Sequence, residues 1–482
     1  MAALSSHPTA AAPAPPPRER TRHLLVRAWC VFVLLVALIA SGWNNLLGPA
    51  LLGALIGLCS AVTIVVWTLV QRARAAEGAG RDPSWRRLPW LVLAYVLWAA
   101  LSVIWTAWPS TTLITWSVLA ATTLHGLFVA DVLTWRELIR ALVTAMKWVI
   151  GLSLLIELWV AVVLRHPILP DFITAPSGKV PAELYWVRGN LFDGGRIQGI
   201  MGNANLLGAA ALLAISVFAV QFAASGRGRR IELGVWTAVS ALLLVRAGSA
   251  GIYLATVATA VVLAMVLIMR TARTARGRSL RCLVFLLIGA AGLVTAWLLR
   301  DRLFGLLGRS DDLTGRGRIW TAVLAKAHER PVTGWGFATP WLPWDPHFQG
   351  WIMDHDLTVF VAHSMWVDSL FQLGAIGVAL LALTYFAFLC RSWFFAVDRP
   401  RWDLHRDRPY SVLSLLPVLV ATVLLMQGLV ESRPLMEWGW LFMVMFCFRM
   451  KQAPYVGGGL IEQSPPVAER GQRAPAQQRR AR

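Results

Sequence analysis

His363 stands at the head of an apolar run, in the stretch VAHSMWVDSLFQLGAIG. Imidazole is the side chain whose ordinary titration range straddles neutrality, so a histidine at a membrane boundary can take the proton of an attacking hydroxyl. It can equally be a plain interfacial side chain. Asp368 lies five residues on, one and a half helical turns away and off the face of His363, so the spacing does not imply a His/Asp dyad.

Arg316 and Arg318 open the stretch GRGRIWTAVLAKAHERP, in which Ile319, Trp320, Val323, Leu324 and Ala327 recur at helical spacing. The pattern predicts a short amphipathic helix ended by Pro331, with both arginines at its amino-terminal edge. Cations there oppose the helix dipole at a cost of ~0.3–1 kcal/mol. A bound phosphate would reverse the sign, because backbone N–H groups, dipole and guanidinium would all face one anion. The bland alternative for external arginines in general is that several simply pair with Asp301, Asp311, Asp312 or Asp193, and Arg316 and Arg318 resist it better. A third cluster, Asp354-His355-Asp356 with His347 nearby, resembles the carboxylate spacing that holds a divalent metal. Two carboxylates in a loop offer too few convergent oxygen ligands, and neither metal nor cofactor is expected.

The elements that must position these groups are membrane helices. Of 482 residues, 57% are hydrophobic and 15% charged, with 45 Lys+Arg against 25 Asp+Glu, a balance outside the range of soluble globular domains. Apolar blocks at about 24–41, 46–70, 88–107, 111–130, 138–164, 203–223, 231–246, 249–269, 281–299, 363–390, 410–430 and 435–450 predict an all-α polytopic bundle of about twelve spans. The pair at 231–246 and 249–269 is separated only by the Arg246-Ala247-Gly248-Ser249 turn; reading it as two helices keeps the parity of the bundle. Basic segments after alternate spans place both termini in the cytoplasm of a multi-pass plasma-membrane protein. The excess of cations then reflects topology and anionic lipid, and no nucleic-acid partner is implied. Residues 1–23 and 451–482 read as disordered cytoplasmic tails around a membrane domain at 24–450. Two long segments, about 165–202 and 300–362, fall on the extracytoplasmic side, where Asn203, Asn205, His363, Ser364 and Asp368 would line an outward-facing polar site.

Several motifs resemble one family. GRIQGIMGNANLLG is similar to the RxxGxxxNPN stretch of the O-antigen ligase and polymerase superfamily of bacterial membrane glycosyltransferases (Wzy_C type). TGRGRIWTAVLAKAHERPVTGWG resembles its GRxxxWxxA…PxxGxG segment, HSMWVDSLFQLGAIG its HNxxLxxxxExGxxG segment, and ESRPLMEWGWLF its last-span ending, especially in actinobacterial members. The resemblance covers roughly residues 190–450. It implies a GT-C-like fold and an inverting, metal-independent transfer of a glycan from undecaprenyl pyrophosphate to an acceptor hydroxyl on a glycan, lipid or cell-wall component, at the outer face of the membrane. Carried onto this chain, it makes His363 the base, Arg196 and one of Arg316 and Arg318 the pyrophosphate ligands, and Asn203, Asn205, Asp368 and Arg246 supporting residues. Arg246 enters through the family's Ser-Arg motif, which is blurred here to Arg246-Ala247-Gly248-Ser249. Ala204 replaces the usual Pro, Ser364 the Asn after the His, and Gln372 the common Glu. Ligases and polymerases share these groups. The rival class is a twelve-span transporter or flippase of lipid-linked sugars, which should show matching halves and charged, broken midplane helices; residues 24–223 and 231–450 show no such similarity.

Overall fold

The computed structural model describes residues 21–76, 85–173, 180–299, 316–354, 357–398 and 410–456. The expected tails therefore lie largely outside the described residues, as do 300–315 of the longer loop. The structure is mostly helical. In chain order the helices are α1 (Thr21–Leu38), α2 (Ala40–Ala76), α3 (Trp90–Leu101), α4 (Pro109–Val132), α5 (Trp135–Leu158), α6 (Ala204–Ala223), α7 (Arg227–Ala247), α8 (Ala250–Arg270), α9 (Ala275–Leu298), α10 (Arg316–His328), α11 (Met365–Val397), α12 (Leu416–Val430) and α13 (Glu437–Gln452). A two-residue hairpin, β1 (Met353–Asp354) with β2 (Leu357–Thr358), is the only sheet among the described residues.

Each of the twelve apolar blocks carries one of these helices, and α10 is the short extra one between α9 and α11. Seven segments are by themselves long and apolar enough to cross a membrane among the described residues. The shortfall from twelve has visible causes in at least three cases. α7 carries Arg227, Arg229, Arg230, Glu232 and Arg246 within 21 residues; α13 has 16 residues; and α3 has 12. α1 starts at Thr21 and α13 runs to Gln452, so both reach slightly into the stretches expected to be tails. A multi-pass membrane protein is the reading these helices support.

The interior is built by α6, α12 and α13, whose side chains are buried almost all round. α6 packs on α7, α8, α5 and α12, and α13 packs on α4. Peripheral α9 instead exposes Leu283, Leu286, Leu287 and Ile288, as a lipid-facing helix must. The turn between α7 and α8 is a true break: Gly248 adopts φ +56° as the α7 C-cap. Two helices therefore span 227–270, as the sequence parity required.

A second apolar core, separate from the bundle, joins Trp108, Ile319, Val323, Trp341, Phe348 and Phe371 with their neighbours. It packs α10 and the segment 331–362 against the first half of α11. Within α10, Ile319, Val323 and Ala327 of the predicted stripe are buried, and Trp320 and Leu324 are half-buried. α11 is broken at Gly374 (φ +65°), and the freed backbone groups are used by another segment. Trp335 N–H donates to Phe371 O at 3.0 Å, Gly336 N–H to Gln372 O at 2.8 Å, and Ala375 N–H to Pro331 O at 2.8 Å. Indole N–H groups of Trp98, Trp105 and Trp108 donate to Leu373 O, Thr333 O and Gly336 O. A break inside an apolar helix stands only where such partners exist.

Candidate functional site

The site lies where the amino ends of α6, α8, α10 and α11 meet the carboxyl ends of α7 and α12. Its centre is a residue the motif reading did not single out. Glu431, directly after α12, has a buried carboxylate. Arg316 Nη2 donates to its Oε1 at 2.9 Å and Asn205 Nδ2 to the same oxygen at 2.8 Å. His363 Nδ1 lies 3.4 Å from Oε2. Arg196 joins through Asn205, whose Oδ1 accepts from Arg196 Nη2 at 2.7 Å. Residues 196, 205, 316, 363 and 431 thus form one connected network.

Each member is held by its own element. Asn203 is the N-cap of α6, its Oδ1 accepting from Asn205 N–H at 2.8 Å and Leu206 N–H at 3.2 Å. Capping shapes the start of the helix, whereas Asn205 bridges two charged groups. Arg196 is anchored by Nε donating to Ala247 O at 2.8 Å. Its loop is fixed by buried Glu157, which accepts from Gln198 and Gly199 N–H at 2.8 and 2.7 Å. Arg246 donates to Asn190 O and Leu191 O at 2.7 and 2.8 Å; it closes the 190–196 loop from α7.

His363 has φ +51°, a left-handed conformation that costs a side-chain-bearing residue about 1–2 kcal/mol. Asp368 holds it there: its Oδ2 accepts from Ala362 N–H at 3.1 Å and from Ser432 Oγ. Asp368 therefore grips the backbone beside His363, and the ring itself is paired with Glu431. Trp320 of α10 donates to Ala362 O at 2.8 Å, so α10 supports both Arg316 and the histidine turn. Gln372, standing where the family's Glu is common, donates to Asp368 Oδ1 at 3.2 Å and accepts from Ala338 N–H and Thr339 Oγ1 at 2.9 and 2.7 Å. An amide does here what a second carboxylate beside Asp368 could not, since only the amide has N–H to give.

The two arginines of α10 separate. Arg316 is 13% exposed and faces Glu431, while Arg318 is 71% exposed and reaches Asp354 Oδ1 at 3.4 Å. Of the acidic cluster weighed for metal, Asp354 thus faces Arg318, and His355 and Asp356 lie outside the described residues. His347 faces Asp345 at 2.8 Å, and Asp345 also accepts from Thr111 at 2.6 Å. The structure therefore does not join His347 to Asp354. The proposed acids Asp301, Asp311 and Asp312 are also outside the described residues.

The Glu431 carboxyl is held far below its usual range, at about 2. Burial alone pushes it up; the hydrogen bond and charge of His363, the charge of Arg316 and the amide of Asn205 outweigh that. A carboxylate this acidic is a poor proton acceptor for a hydroxyl at neutral pH, and imidazole is better matched to that task.

Comparison with protein families places the central segment. Residues 233–382 match the Wzy_C family model, O-antigen ligase. This match supports the motif-based assignment to the O-antigen ligase/polymerase superfamily. It supports an O-antigen ligase/polymerase-type, glycosyltransferase-like membrane function. No curated protein matches the chain. The O-antigen ligase match includes Arg246, Arg316, Arg318, His363 and Asp368, whereas Arg196, Asn203, Asn205 and Glu431 lie outside it and reach the site only through the fold. Glu431 had one signal in the sequence: it is the first residue of ESRPLMEWGWLF, the stretch resembling the family's last-span ending.

Proposed function

We propose that this chain is a membrane glycosyltransferase of the O-antigen ligase/polymerase type that uses an undecaprenyl-pyrophosphate-linked glycan at the outer face of the cytoplasmic membrane. The observation that carries the reading is the convergence of Arg316, His363 and, through Asn205, Arg196 on one end of the bundle. These are two guanidiniums suited to phosphate oxygens and one imidazole suited to a hydroxyl proton.

In the proposed reaction the acceptor oxygen attacks the anomeric carbon from the face opposite the pyrophosphate. The new glycosidic C–O bond forms as the bond from that carbon to the phosphate oxygen breaks, with inversion. The bonding pair leaves with undecaprenyl pyrophosphate, and the hydroxyl proton passes to the imidazole of His363. Arg316 and Arg196 stabilise the negative charge that grows on the leaving group. Guanidiniums supply that charge without a metal, so a chelator is expected to leave the rate unchanged. Arg318, Asp368, Asn203, Asn205 and Arg246 support the site. Both termini lie in the cytoplasm in this reading.

The test is reconstitution with lipid-pyrophosphate glycan and a hydroxyl acceptor. His363→Ala should lower transfer by roughly 10²–10⁴-fold while donor binding persists; a fully active variant would sink the mechanism. Deleting the gene and sizing the glycans left on undecaprenyl pyrophosphate by mass spectrometry separates the activities. Accumulated single repeats mean a polymerase, stranded long chains a ligase, and an unchanged profile returns the transporter.

A further inference from the structure

We propose that Glu431 is a positioning residue for transfer: it holds the Nδ1–H of His363, leaving Nε2 as the nitrogen that accepts the hydroxyl proton. The inference rests on the glycosyl-transfer reading above and assigns a residue outside the matched family segment.

The geometry divides the work between the two oxygens of one carboxylate. Oε1 is taken by Arg316 and Asn205, and Oε2 faces His363 Nδ1. An ionised carboxylate only accepts hydrogen bonds, so the ring nitrogen facing it must carry the hydrogen and the other nitrogen is the basic one. Among the described residues this is the only hydrogen bond of the His363 ring. The pair is also tied through its backbone. Asp368 Oδ2 accepts from Ala362 N–H, the residue before His363, and from Ser432 Oγ, the residue after Glu431. One buried oxygen on α11 therefore fixes how far His363 sits from Glu431, although the two are 68 residues apart.

A bare ion pair between Glu431 and Arg316 would also explain the burial, and the two roles differ in what they do to proton transfer. The charged groups acting on His363 are Glu431 after α12 and Asp368 of α11, with Arg316 of α10 on the far oxygen of Glu431. Losing only the ion pair would loosen Arg316 and show in donor KM, whereas losing the hold on the ring would show in kcat.

The experiment measures kcat and donor KM of the full-length protein in nanodiscs, with lipid-pyrophosphate glycan and a hydroxyl acceptor. Glu431→Gln is expected to lower kcat about 10²-fold or more, as loss of a histidine-orienting carboxylate does elsewhere, with donor KM little changed. Glu431→Asp should return part of the rate. An unchanged kcat in Glu431→Gln, or a loss carried by donor KM alone, overturns the proposal and leaves the ion-pair role. If Glu431→Gln does not fold, Glu431→Asp decides: a kcat loss of about tenfold with donor KM unchanged supports positioning, and an unchanged kcat overturns it. Activity in His363→Ala would instead overturn the underlying reading, so the two failures are distinguishable.

Discussion

Two arginines two residues apart on one helix have different surroundings. Arg316 is 13% exposed and shares Glu431 with Asn205 and His363, while Arg318 is 71% exposed and makes one long contact with Asp354. Exposed pairs contribute little because water and salt screen them, whereas a guanidinium in a shielded cluster loses less to solvent. Arg316→Ala is therefore expected to weaken binding of undecaprenyl pyrophosphate by about 10–100-fold, in line with the ~1.5–3 kcal/mol of a charged hydrogen bond. Arg318→Ala should change it by no more than about threefold. Titration of the lipid into nanodisc-held protein measures both. A larger loss in Arg318→Ala would place the anion at the exposed edge of α10, where the helix-terminus argument alone would put it.

At the scale of elements, the site depends on a helix that is deliberately interrupted. α11 breaks at Gly374, and the segment 331–336 lies against the break backbone to backbone, with Trp335, Gly336 and Ala375 exchanging hydrogen bonds across it. A Cβ on Gly374 would collide with the Val332 carbonyl and would also have to adopt φ +65°. The same contact explains why the stretch PVTGWG has glycine where it does: a Cβ on Gly334 would meet the backbone of Gln372. Gly374→Ala should destabilise the protein by about 2 kcal/mol or more, from the left-handed conformation and the overlap together. Thermal melts in detergent would show this as a lower Tm, and a wild-type Tm would mean that the two segments can move apart at little cost. Transfer should fall as well, because 331–336 leads back into α10 and its Arg316.

For the whole molecule, the proposed reaction needs the cluster on the outer side of the membrane. α6, α7 and α8 follow one another through short turns, and in the twelve-span reading each crosses the membrane. That reading predicts that Asp193, in the loop before α6, and Arg276, in the first turn of α9, stand on opposite faces, with the Arg196–Glu431–His363 cluster on the side of Asp193. A membrane-impermeant maleimide should label Asp193→Cys in intact cells above the background of the five native cysteines. Arg276→Cys should react only after permeabilisation. The reverse pattern would put the cluster on the cytoplasmic side and remove its access to an outward-facing acceptor.

Much of this was legible in the chain itself. Runs of apolar residues near the thickness of a bilayer specify membrane helices without reference to anything distant: each of the twelve apolar blocks carries a helix, and seven helices among the described residues are long and apolar enough to span. The motifs also carried the family and pointed to Arg316 and His363. What they could not carry was partnership. Asp368 sits closest in sequence to His363 yet grips the neighbouring backbone, while the ring's partner is Glu431, 68 residues on. Nor did anything local distinguish Arg316 from Arg318, or tell that Asn205 bridges while Asn203 caps. Helical periodicity fixes which way a side chain points from its own axis; which other helix end it then meets depends on how the helices cross, and only the tertiary structure decides that.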